Sequence, residues 1–176
     1  QKPELSERFD EWLQSLCAFD IEDRPSSAAV ALAKFNAIVG PDPEAVRARL
    51  GDGAVVVSFN QPRDIARYEG YAAWLGSSPD ARWLPVPDFH APPLDDALPL
   101  LDEVAALLRA GRPVVMHCSA GVGRAGTMAV AVLMVLDVPG SDALAQVARD
   151  RRGAGPEVGS QSQLIRALAA HLSTGR

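Results

Sequence analysis

Lysine is almost missing from this chain, occurring only at Lys2 and Lys34, and cysteine occurs only at Cys17 and Cys118. Basic residues number 17 against 22 acidic ones, a net charge of −5. Such a balance disfavours nucleic acid and anionic membranes as main partners. Two cysteines make no disulfide framework, and they suit a reducing, cytoplasmic compartment. Long apolar runs are also lacking. The longest, Met128 to Leu136, covers about half of the roughly 20 residues that a spanning helix needs. The chain opens on Gln1 and not on methionine, which leaves room for a segment upstream, and no signal sequence is recognisable in it. Repeats, low-complexity tracts and clear linkers are absent too.

What is present is a well-mixed sequence of 176 residues, 48% of them hydrophobic, enough for one domain with a sizeable core. Residues 1–27 read as a helical N-terminal extension, with Leu5, Phe9, Trp12, Leu13 and Leu16 at helical spacing over Glu4 to Phe19. Cys17 falls at the end of that stretch and reads as a core residue. Residues 28–172 read as the main domain. Ala28 to Phe35 is a short apolar strand candidate, and Pro43 to Leu50 a helix stopped by Gly51. Ala54 to Phe59 is a β-branched buried strand between Gly53 and Pro62. Ile65 to Leu75 predicts one short helix, and Arg82 to Val86 a further strand running into a proline-rich loop. Asp95 offers an N-cap for a helix reaching Ala110, with Gly111 as its stop. Helices are predicted near Gly126–Leu136, Ser141–Arg151 and Gln161–Leu172. Apolar strands alternating with amphipathic helices indicate an α/β fold, a single layered domain with a largely parallel central sheet flanked by helices.

The apolar run Val114-Val115-Met116 leads into His117-Cys118-Ser119-Ala120-Gly121-Val122-Gly123-Arg124, and a helix-compatible stretch follows. Strand, glycine-bearing loop and helix start together make a cradle of backbone N–H groups for an anion. The same amides and the helix N-terminus lower the pKa of a thiol at the strand end, which makes Cys118 a thiolate near neutral pH. Arg124 adds a planar fork that binds two oxygens at once. A nucleophile inside an oxyanion site is suited to covalent phosphoryl transfer.

This octapeptide resembles the signature loop of the cysteine-dependent protein tyrosine phosphatases: His-Cys, five residues, Arg, then Ser or Thr. The match runs through Arg124 and departs at Ala125. The resemblance implies a compact tyrosine or dual-specificity phosphatase with no metal and no cofactor. Its substrates would be phosphorylated proteins or peptides, with phosphotyrosine first and phosphoserine or phosphothreonine left open. Cys118 would attack phosphorus, while Arg124 and the amides of Ser119, Ala120, Gly121, Val122 and Gly123 would hold the phosphoryl oxygens. His117 would shape the loop and tune the thiolate, partly buried and satisfied. Gly126 reads either as a point where its helix packs closely on the sheet or as a packing glycine without functional meaning.

The resemblance also implies a carboxylic acid on a mobile loop. Leu84 to Pro93 carries Pro87-Asp88 among four prolines, and Asp88, shielded beside Phe89, would protonate the leaving oxygen. Asp95 and Asp96 are its rivals, although both suit the first turn of a helix. His90 reads as a loop or surface histidine. Gly155 to Gln161 is similar to the family segment whose glutamine orients water, which favours Gln161 over Gln163; a solvated helix start is the competing reading. Arg149, Arg151 and Arg152 form a basic cluster that reads as a solvated face or as a phosphopeptide contact. Two other functions compete with a protein phosphatase: a phosphoinositide or inositol-phosphate phosphatase, and a pseudophosphatase that binds phosphoproteins without turnover. The oligomeric state is not legible in the sequence.

Overall fold

The computed structural model describes residues 53–174. The expectations for Glu4–Phe19, Cys17, Ala28–Phe35 and Pro43–Leu50, and the boundary between residues 27 and 28, lie outside the described residues.

Among the described residues three parallel strands form a sheet in the order β2-β1-β3. They are β1 (Val55–Ser58), β2 (Ala81–Trp83) and β3 (Val114–His117). Val56 is paired with Ala81 and with Val115, which places β1 at the centre of the described sheet. All four residues of β1 and of β3 are buried, as continuous β-branched runs in a parallel sheet should be. Val55, Val57, Val114 and Met116 point into the main core, and Val56 and Val115 face Trp74 on the opposite side.

Among the described residues six helices accompany the strands: α1 (Pro62–Ile65), α2 (Tyr71–Ser77), α3 (Leu94–Arg109), α4 (Gly123–Val135), α5 (Gly140–Asp150) and α6 (Gly159–Thr174). Helix α4 is buried along twelve successive residues from Gly123 to Met134. A helix apolar on every side must sit at the centre of the core, and α3, α5 and α6 all pack against it. Nothing among the described residues is a helix long and apolar enough to cross a membrane.

Four local expectations need correction. The single helix over Ile65–Leu75 is two short ones, because Gly70 adopts φ of 75° as the N-cap of α2 and breaks the turn. β2 stops at Trp83, although Leu84 N and Val86 N still donate to Ser58 O and Phe59 O before Pro85 and Pro87 end the pairing. Pro93 and not Asp95 is the N-cap of α3, and Asp95 and Asp96 lie exposed in its first turn. α4 begins at Gly123, three residues before Gly126, so that Arg124 belongs to the helix.

Candidate active site

Each strand delivers one wall of the site at its carboxyl end, where parallel sheets place ligands. β3 ends at His117 and hands over to Cys118, which is buried. The loop then turns back, with Gly121 at φ of 64°, a backbone state that glycine adopts freely. The turn carries Gly121 N to 3.2 Å from Cys118 Sγ. The N-cap of α4 is Val122, and no side chain caps this end. The thiol thus sits beside a loop amide close to a helix N-terminus.

Arg124 is buried, and its guanidinium gathers the surrounding elements. Nη1 donates to Val86 O at 2.9 Å, to Asp64 Oδ2 at 3.0 Å and to Phe59 O at 3.4 Å. Nη2 donates to Ser119 Oγ at 3.1 Å and faces Asp88 Oδ1 at 3.2 Å. Burial works against the charge on Asp64, yet the Arg124 hydrogen bond, the Gln61 N–H and nearby positive charge hold its carboxyl below the ordinary value. Asn60, just past β1, donates from Nδ2 to Ser119 Oγ at 2.9 Å. Both acceptor positions of that hydroxyl are filled by nitrogen donors, which leaves its proton free to donate.

His117 is buried with Nε2 2.6 Å from Tyr71 Oη. Burial first, and then the Arg124 charge, pull it from 6.5 to about 4, against a backbone hydrogen bond involving Cys118. Burial also pushes the Tyr71 phenol up. The unfolded chain therefore takes a proton near pH 6.5 that the folded protein refuses until about pH 4. Stability should fall as pH drops through that window, by about 3 kcal/mol once it is crossed. Asp64 adds a loss only below about its ordinary 3.8. Urea midpoints at pH 7 and pH 4.5 check this: His117→Asn should weaken the protein at pH 7 and flatten the pH dependence, and an unchanged slope would refute the assignment.

A profile of the family described as "Polymorphic toxin system, DSP-PTPase phosphatase" matches residues 54–137, the span that holds β1, the Asp88 loop, Cys118 and Arg124. The structure of Tk-PTP in its active form aligns with a TM-score of 0.64 at 26% identity, covering 79% of this chain and 90% of that one. Together these matches support a member of the cysteine-dependent protein tyrosine phosphatase superfamily. Human DUSP28 shares the fold at 20% identity and a TM-score of 0.62, over 85% of this chain and 99% of its own. So does PTPMT1, solved in complex with PI(5)P, at 19% identity and a TM-score of 0.64, over 77% and 90%. No curated protein sequence matches the chain.

Within this phosphatase fold several residues stand differently from expectation. Asp88 is not shielded: its side chain is 59% exposed and paired with Arg124, while the Phe89 ring is turned outward and equally exposed. Gln161 is fully buried, so the solvated helix start is excluded, and Gln163 is the exposed one. The Gln161 amide accepts from Glu157 N at 2.7 Å and donates to His90 O at 3.3 Å. The basic cluster is not one solvated face. Arg149 and Arg152 are exposed, whereas Arg151 is half-buried and donates to Ala120 O in the phosphate loop. Burial lowers Arg151, and the neighbouring Cys118 charge opposes that. Gly126 packs against Ala154 and Gly155, where a Cβ would strike the Gly155 backbone, and not against the sheet.

Asn60, Asp64 and Tyr71 were missed in the sequence, while Arg151 was read only as one of a basic cluster. Asn60 alone carried a signal, being a polar residue at the carboxyl end of the clearest parallel strand.

Proposed function

We propose that this phosphatase hydrolyses phosphotyrosine in proteins through a phosphocysteine intermediate. The observation that supports it best is the thiol of Cys118 held 3.2 Å from Gly121 N, inside a loop closed by the Arg124 fork. Cys118 Sγ attacks phosphorus as the bond to the ester oxygen breaks. The loop amides from Ser119 to Arg124, and the guanidinium, carry the phosphoryl charge. Asp88 gives its proton to the leaving oxygen. Water then attacks the phosphocysteine, Asp88 takes a proton from it, and the thiolate leaves with inorganic phosphate released.

The ion pair between Asp88 and Arg124 has a part in this cycle. An entering phosphate dianion competes for Nη2, and the displaced carboxylate then faces a like charge. No metal or cofactor enters this scheme. The neutral side chains of Ser119, Ala120 and Val122 favour a singly phosphorylated protein over an inositol ring. Arg151 beside the loop and the likeness to PTPMT1 favour the phosphoinositide as second reading. The matching family's description suggests the enzymatic module of a polymorphic toxin system as the setting, acting in a cytoplasm on phosphoproteins, with no nucleic acid or membrane partner.

Turnover of p-nitrophenyl phosphate without added metal, and of a phosphotyrosine peptide faster than of a phosphoinositide, is the expected result. No release of phosphate from any of them would leave a phosphate-binding protein instead.

Ala125 makes a finer prediction. The hydroxyl that the family carries there supports the sulfur as a leaving group, and here the side chain is a buried methyl. Loss of one charge-assisted hydrogen bond, about 1.5–3 kcal/mol, slows phosphocysteine breakdown by roughly 10- to 150-fold. Rapid-quench kinetics should show a burst of alcohol product, and Ala125→Ser should raise the steady-state rate. Neither effect appearing would mean that another donor, such as the Ser119 hydroxyl, serves the sulfur.

A further inference from the structure

Asp88 lies in a backbone segment that is strained and yet hydrogen-bonded at each of its carbonyls. Phe89 has φ of 57°, a left-handed state that costs any residue with a Cβ and persists only where its surroundings enforce it. Four successive carbonyls across this segment each accept a hydrogen bond. His90 N donates to Pro87 O at 3.1 Å, and His90 Nδ1 donates to Asp88 O at 2.7 Å. Ser160 Oγ donates to Phe89 O at 3.4 Å, and Gln161 Nε2 donates to His90 O at 3.3 Å. A carbonyl oxygen only accepts, so Nδ1 of His90 carries the proton.

The Gln161 amide is fixed in the same way. Its Oε1 accepts from Glu157 N at 2.7 Å, and a flip would set NH2 against N–H and oxygen against oxygen. The helix behind it is anchored, since Leu164, Ile165 and Leu168 are all in the core. A rigid helix start therefore grips two consecutive carbonyls immediately after Asp88.

We infer that Ser160 and Gln161, with His90, form a latch that positions Asp88, and that Gln161 serves the acid step more than the water step. This rests on the phosphatase reading, in which Asp88 is the proton donor. The family resemblance casts the glutamine as a guide for water, but here both ends of its amide are committed to backbone. With the latch broken, the segment relaxes from the strained state and carries the carboxyl away from the leaving oxygen. Displacement by an ångström is enough to weaken proton transfer severely.

The test separates the two chemical steps across a series of phosphate esters with leaving groups of rising pKa. In rapid-quench experiments Gln161→Leu and Ser160→Ala should slow leaving-group release from alkyl phosphates about 10-fold or more, and from p-nitrophenyl phosphate little. Release rates should thus depend more steeply on leaving-group pKa. In an Asp88→Ala background the same substitutions should cost almost nothing further. Ser160→Ala, at a partly exposed position, carries the prediction if Gln161→Leu fails to fold. A uniform slowing of phosphocysteine breakdown with release unchanged would overturn the latch in favour of water positioning. So would losses that add in full to that of Asp88→Ala. A wild-type protein that turns over no ester at all would refute the phosphatase reading itself, which is a different outcome.

Discussion

Cys118→Ser should lose turnover by roughly 10⁴-fold or more and still bind vanadate. The hydroxyl is a far weaker nucleophile than the thiolate. The anion site survives because little of it depends on sulfur. Arg124 is held by Val86 O, Asp64, Phe59 O and Ser119 Oγ, Ser119 by Asn60, and the start of α4 stays uncapped by side chains. Phosphate-release assays and titration calorimetry with vanadate check the two halves separately. Activity near that of the wild type would refute Cys118 as nucleophile, and loss of vanadate binding would mean that the thiol organises the loop.

Asp88→Ala should lower turnover of esters with poor leaving groups by roughly 100-fold or more, and of activated aryl esters much less, since general acid catalysis supplies about 10²–10⁴. The pairing with Arg124 adds a second signature. Removing the carboxylate removes the group that substrate must displace from Nη2, so KM for an aryl phosphate should hold or fall while kcat drops. An equal loss with Asp95→Ala or Asp96→Ala, and none with Asp88→Ala, would move the acid along the chain.

The elements that sequence revealed well are those whose signal is local. Val55–Ser58 and Val114–His117 are apolar, β-branched runs with clear stops, and the octapeptide after the second carries its chemistry in eight adjacent residues. Segments that need knowledge of distant neighbours were read less well. One helix was expected over Ile65–Leu75 because the apolar spacing is continuous, but the backbone at Gly70 interrupts it. Asp88 was expected to be shielded because Phe89 follows it. The left-handed Phe89 backbone turns the ring outward, and that conformation is stabilised by contacts from residues 160 and 161, some seventy positions away. Asp64, Tyr71 and Arg151 reach the site only through the packing of α1, α2 and the end of α5. No periodicity marks a side chain that acts across such a distance.

Arg124 ties together the ends of the three described strands: Phe59 past β1, Val86 past β2 and its own loop past β3. Cys118 makes no comparable set of bonds. A lineage that ceased to need catalysis could therefore discard Cys118 at little cost to folding, whereas losing the arginine would take the donor from the Val86 carbonyl and the paired charge from Asp64. Descendants that drift into inactivity should keep Arg124 long after Cys118 has changed. In this scaffold a retained arginine is a record of architecture, and only the cysteine reports on chemistry.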